Sequence, residues 1–77
     1  MNAMRRKSIR KIQAMLLELH EMIENVHDEE EEAYDNLPES LQYSERGEAM
    51  EEAIDALDSA MTSCEEIADY LDTALGE

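Results

Sequence analysis

Two histidines, one cysteine and 21 carboxylates are the side chains of this 77-residue chain with the capacity for chemistry. Glu24-Asn25-Val26-His27 has the carboxylate-then-imidazole spacing of di-iron helix bundles. His20, Glu24, His27 and Glu31 share one side of a helix, which is how two turns of helix offer several ligands to one divalent ion. A di-iron centre also needs carboxylates directed inward from facing helices. The second helix carries no Glu, Asp or His on its apolar arc, and Glu30 is the one seam carboxylate of the first. The pattern therefore predicts no bound metal and no cofactor. Cys64 lies in an apolar seam with no histidine near it in sequence and no local cation to lower its pKa, so it reads as a small apolar residue. There is no glycine-rich phosphate loop, no paired-cysteine motif and no calcium-loop spacing in the acidic run. No catalytic residue is predicted, and the chain reads as a binding protein rather than an enzyme.

The carboxylates carry more information as a pattern than singly. Glu51, Asp55, Asp58, Glu65, Asp69 and Asp72 recur at helical spacing and form one line along the outside of a helix. Carboxylates one turn apart stand about 5.4 Å apart along the axis, comparable with neighbouring backbone phosphates, so the line imitates a nucleic-acid strand to a basic groove. Asp28, Glu29, Glu30, Glu31 and Glu32 add a second block of charge. The net charge of −15 argues against direct contact with nucleic acid, whose phosphates require cations. It favours a basic partner and also serves solubility. Five of the six bases fall in residues 1–11 (Arg5, Arg6, Lys7, Arg10 and Lys11), leaving Arg46 alone among the acids of the remainder.

Two long helices must position these groups. The first is expected over about residues 8–34, with Ser8 as a candidate N-cap although the basic stretch before it has helical character too. Its heptad seam runs Ile9, Ile12, Leu16, Leu19, Ile23, Val26, Glu30 and Ala33, with Met15 and Met22 on one flank and His20, His27 and Tyr34 on the other. An elbow over 35–44 follows, since Pro38 disfavours helix in Leu37 before it. One short turn fits at Pro38-Glu39-Ser40-Leu41, with Leu37 and Leu41 closing the end of the core. Ser44 is the candidate N-cap of a second helix over about 45–75 that stops at Gly76. Met50, Ile54, Leu57, Met61, Cys64, Ala68, Leu71 and Leu75 form its seam. A second stripe beside it contains Ala49, Ala53, Ala56, Ala60, Ser63, Ile67, Tyr70 and Ala74.

The combined apolar arc of the second helix spans roughly 160°, too wide for one neighbour to cover. The fold expected is all-α, a single antiparallel helical hairpin that dimerises into a four-helix bundle. Ala49, Ala53, Ala56, Ala60, Ile67 and Ala74 are the candidate oligomer interface. The alternative is a structural or assembly module that docks a partner on this alanine-rich face. The basic start of the first helix beside the acidic end of the second favours the antiparallel arrangement. No apolar run approaches a membrane span, the lone cysteine forms no intramolecular disulfide, and an intracellular protein is expected.

The stretch from Glu29 to Leu57, and above all Asp35-Asn36-Leu37-Pro38-Glu39-Ser40-Leu41-Gln42 followed by Ser44-Glu45-Arg46-Gly47, resembles a group of small acidic helical proteins of unknown function encoded by phages and prophages of Gram-positive bacteria. The resemblance covers about half the chain and yields no site residues. It implies a viral origin and the cytoplasm of a bacterial host cell. Small acidic helical phage proteins without catalytic residues are often inhibitors of host nucleic-acid-handling systems. The function expected by that analogy is inhibition of a host defence complex, of the anti-CRISPR or related anti-defence type. The partner-binding residues are then Glu51, Asp55, Asp58, Glu65, Asp69 and Asp72 with Asp28, Glu29, Glu31 and Glu32, acting on a basic host protein or nucleoprotein complex.

Overall fold

The first helix begins earlier than its seam suggests, because Asn2 caps it. In the computed structural model, which describes residues 1–76, Asn2 is extended and its side-chain oxygen accepts from Arg5 N–H at 2.9 Å. This satisfies one of the orphan donors of the first turn. Helix α1 accordingly spans Ala3–Asp35. Ser8 is not the cap expected from the sequence but an interior residue, its hydroxyl donating to the Met4 carbonyl at 3.2 Å. No Gly or Pro interrupts the 33 residues of α1.

The elbow is built by four residues with separate tasks. Pro38 precedes a single short helix, α2 (Glu39–Gln42), one position earlier than the first-turn site expected of it. The Gln42 side-chain amide donates to the carbonyls of Tyr34 and Leu37, both at 3.3 Å, and so satisfies acceptors at the end of α1. Ser44 caps helix α3 (Glu45–Leu75), accepting from Gly47 N–H at 3.4 Å. Gly47 is buried where a Cβ would overlap the carbonyls of Gln42 and Leu41, so only glycine allows α2 to lie this close to α3. Leu37 is half-buried at this end, whereas Leu41 remains exposed. Gly76, with φ of 76°, ends α3 in the left-handed conformation.

Helices α1 and α3 pack along one another as an antiparallel hairpin 58 × 15 × 15 Å in extent. Three contacts give the register. Gln13 meets Asp72, His20 meets Glu65 and Tyr34 meets Glu51, so each step forward along α1 is matched by an equal step back along α3. The α3 seam lies where its spacing places it, with Cys64 and Leu75 buried and Met50, Ile54, Leu57, Met61, Ala68 and Leu71 half-buried.

The α1 seam is rotated from the expected one. Ile9, Leu16, Ile23 and Glu30 face α3, but the alternating column is Gln13, His20, His27 and Tyr34, all half-buried. Ile12, Leu19 and Val26, expected inside, are 48, 48 and 51% exposed, and Ala33 is exposed as well. The physical reason is on α3: residues of the Gln13 column pack an apolar stem or ring while their polar tips reach carboxylates standing at the same level.

Candidate functional site

Each residue of the Gln13 column faces one acidic residue of α3, a heptad apart, and together they form four rungs. Gln13 Nε2 donates to Asp72 Oδ1 at 2.8 Å, and Tyr34 Oη donates to Glu51 Oε1 at 2.6 Å. His20 Nε2 lies 3.7 Å from Glu65 Oε1 and is buried without a hydrogen-bond partner. Asp58 acts on His27 through its charge. The acidic line of α3 is therefore exposed along its length, as its spacing predicts, but four of its six members face the Gln13 column of α1. Glu51, Asp58, Glu65 and Asp72 serve the hairpin as well as its surface. Asp55 and Asp69 stand between rungs as exposed carboxylates.

The histidines sit among carboxylates from both helices. His20 Nδ1 is 3.8 Å from Glu24 on α1. His27, its side chain 13% exposed, holds Nδ1 at 3.1 Å from Asp28 Oδ1 and Nε2 at 3.7 Å from Glu31. The hydrogen bond to Asp28 raises the His27 pKa above the ordinary 6.5; partial burial opposes this, and the charges of Glu31, Asp28 and Asp58 add to it. Tyr34 is pushed up to about 12, first by its hydrogen bond to Glu51 and then by desolvation. Among the described residues, no group of three or more His, Cys, Asp or Glu is gathered closely enough to hold a metal ion. Glu24 and His27 have the spacing of a ligand pair, yet His27 spends both ring nitrogens on neighbours along its own helix.

The carboxylates of the two helices collect on one side of the hairpin. Glu51, Asp58, Glu65 and Asp72 each follow a seam residue of α3 by one position, and Leu17, Glu24, Asp28 and Glu31 each follow a seam residue of α1 by one. One residue is a 100° turn of helix, and in an antiparallel pair the same rotation on both helices leads to the same side. Asp28 and Glu31 thus join the α3 line and are exposed. Glu32 is exposed farther round α1, and Glu29, one position before Glu30, is exposed on the opposite side, away from the line it was expected to join.

The opposite side follows from the residues one position before the seam. On α1 these are Ile12, Met15, Leu19, Met22 and Val26, with Ser8 before them and Glu29 and Ala33 after; on α3 they are Ala49, Ala53, Ala56, Ala60, Ser63, Ile67, Tyr70 and Ala74. Ala53 and Ala60 are half-buried against α1, while Ala49, Ala56, Ile67 and Ala74 are exposed. The apolar side thus includes Ile12, Leu19 and Val26, which their spacing had assigned to the interior, together with the flanking Met15 and Met22. The signal was present in the sequence: Met15 and Met22 continue the spacing of Ile12, Leu19 and Val26 into a complete second seam.

Comparison of the chain with protein-family models, curated proteins and solved structures finds no match. No helix among the described residues is long and apolar enough to cross a membrane.

Proposed function

We propose that this chain is a non-enzymatic, acidic protein-binding module that occupies a basic nucleic-acid-binding surface of its partner. One observation carries the reading: carboxylates from both helices lie on a single side of the hairpin, with Asp55 and Asp69 exposed between the rungs. A basic groove that evolved to hold phosphates meets there a row of anions at comparable spacing. The resemblance of the elbow to phage-encoded acidic proteins makes the partner class a host nucleic-acid-handling complex. Inhibition of a defence complex of the anti-CRISPR or related anti-defence type, in the cytoplasm of a bacterial host cell, is the activity this supports. As a dimeric four-helix bundle, the protein carries two such acidic sides facing outward.

The test is charge reversal at the carboxylates that do not brace the hairpin. The immobilised protein should retain a bacterial protein or complex that a short DNA duplex displaces, and Asp55→Lys with Asp69→Lys should abolish the capture. Capture that survives the reversal but is lost with Ala49→Glu and Ala56→Glu refutes the acidic reading. It favours instead an assembly module working through the alanine-rich face, whose exposure of Ala49, Ala56, Ile67 and Ala74 is the observation on its side.

A further inference from the structure

We infer that the apolar side of the hairpin binds a second copy of the same chain, with α1 crossing its own counterpart in the antiparallel sense near Leu19. This rests on the proposed function only in taking the protein as a dimer, and it moves the centre of the interface from the alanine stripe of α3 to α1.

Surface area is the first argument. A compact 8.8 kDa monomer exposes about 4,800 Å². This chain exposes 5898 Å². The excess of roughly 1,100 Å² exceeds the ~800 Å² that each partner contributes to a stable interface of ordinary size. Among the described residues, only Leu16, Cys64 and Leu75 are buried apolar residues, while Met15 and Met22 are 60 and 58% exposed. A groove among Ile12, Met15, Leu16, Leu19 and Met22, with Glu18 at its edge, is open to receive side chains. Ile12, Met15, Leu19, Met22 and Val26 alternate by three and four, the spacing with which a helix interlocks with another helix rather than with a flat surface.

Charge selects the occupant and its direction. A chain of net charge −15 repels its own copies unless the contact is poor in carboxylates. On this side of α1 only Glu18 edges the groove and Glu29 stands at its acidic end, and the α3 stripe has none. Along α1, bases occupy residues 5–11 and an unbroken acidic run occupies 28–32, placed on either side of the apolar stripe. Leu19 is the midpoint of α1 (Ala3–Asp35). An antiparallel crossing there sets Arg5 and Lys11 of one copy beside the acidic run of the other, twice by symmetry. A parallel α1 pair sets base against base and acid against acid. Hairpins packed with both elbows at one end crowd the two acidic runs together. The antiparallel α1 pair alone neutralises both ends.

The test places a thiol at the crossing. Leu19→Cys in a Cys64→Ala background should give a protein of twice the 8.8 kDa chain mass in sedimentation equilibrium. Under mild oxidation it should form a disulfide between the two position-19 thiols. Helicity measured under reducing conditions checks that the variant folds. In the otherwise unchanged chain, Leu19→Glu should raise the dimer dissociation constant by about a hundredfold or more, with Ala56→Glu having a smaller effect. A helical monomer at millimolar concentration overturns the inference, as does a dimer whose position-19 thiols do not join. Neither result depends on a partner, so the inference fails separately from the acidic-face reading, which the Asp55→Lys and Asp69→Lys capture decides.

Discussion

The Tyr34 hydroxyl donates to Glu51 at 2.6 Å and joins the last turn of α1 to the second turn of α3 beside the elbow. Because the acceptor is a carboxylate, the phenol is held in its neutral form and its pKa is pushed up to about 12. Tyr34→Phe removes the bond while keeping the ring, and should lower the urea midpoint of unfolding. An ultraviolet titration should show one late-ionising tyrosine that the variant lacks. The folded pKa exceeds the unfolded 10, so this contribution is complete below pH 10 and is lost as pH rises towards 12.

His27 gives a second pH dependence, nearer neutrality. Its folded pKa is raised through Asp28, Glu31 and Asp58, so its protonated form stabilises the hairpin. That contribution is full below pH 6.5, the ordinary value, and is lost as pH rises through the raised one. Thermal unfolding should therefore occur at higher temperature at pH 6 than at pH 8. Falling self-repulsion among the acids acts in the same direction, so the decisive comparison is His27→Gln. That variant should show a smaller difference between the two pH values than the parent chain.

At Gly47 the constraint is steric. An added methyl group meets two backbone carbonyls that cannot swing aside as a flexible side chain would. Gly47→Ala should cost about 1–3 kcal/mol despite the higher helix propensity of alanine. The check is chemical denaturation beside an Ala-for-Gly change at Gly76. There the space is open and the left-handed backbone supplies the penalty.

Leu16 is the buried residue of α1 and lines the same groove as Cys64. Leu16→Ala should cost about 2–3 kcal/mol, the lower end of core truncations, because this groove is open on one side and collapses partly. Leu17→Ala, one residue on and 66% exposed, should cost well under 1 kcal/mol. Equal losses at the two positions would show that the helix pair is packed in another rotation.

How much of this was legible in the sequence differs between the helices. Along α3 the apolar seam has no competitor, so Met50 through Leu75, the Ser44 cap and the Gly76 stop all lie where spacing puts them. Along α1 two seams overlap. Hydrophobicity favours the set containing Ile12, Leu19 and Val26, whereas packing against a line of carboxylates favours Gln13, His20, His27 and Tyr34. A count of apolar residues does not register that a half-buried glutamine or tyrosine is stabilised by an acceptor on another helix, because the acceptor is distant in sequence. The acidic face was legible as a helical line. Its tie to α1 was not, for the same reason. The start of α1 was missed because a single asparagine outweighs a serine six residues later once the intervening residues are all good helix formers.

The four rungs also set a length. From Glu51 to Asp72 the axial rise is about 32 Å, close to the ~34 Å repeat of a duplex turn. A partner displaced from nucleic acid by this surface should therefore have a footprint of about nine to ten base pairs. Shorter oligonucleotides should compete with it poorly, and longer ones should gain little.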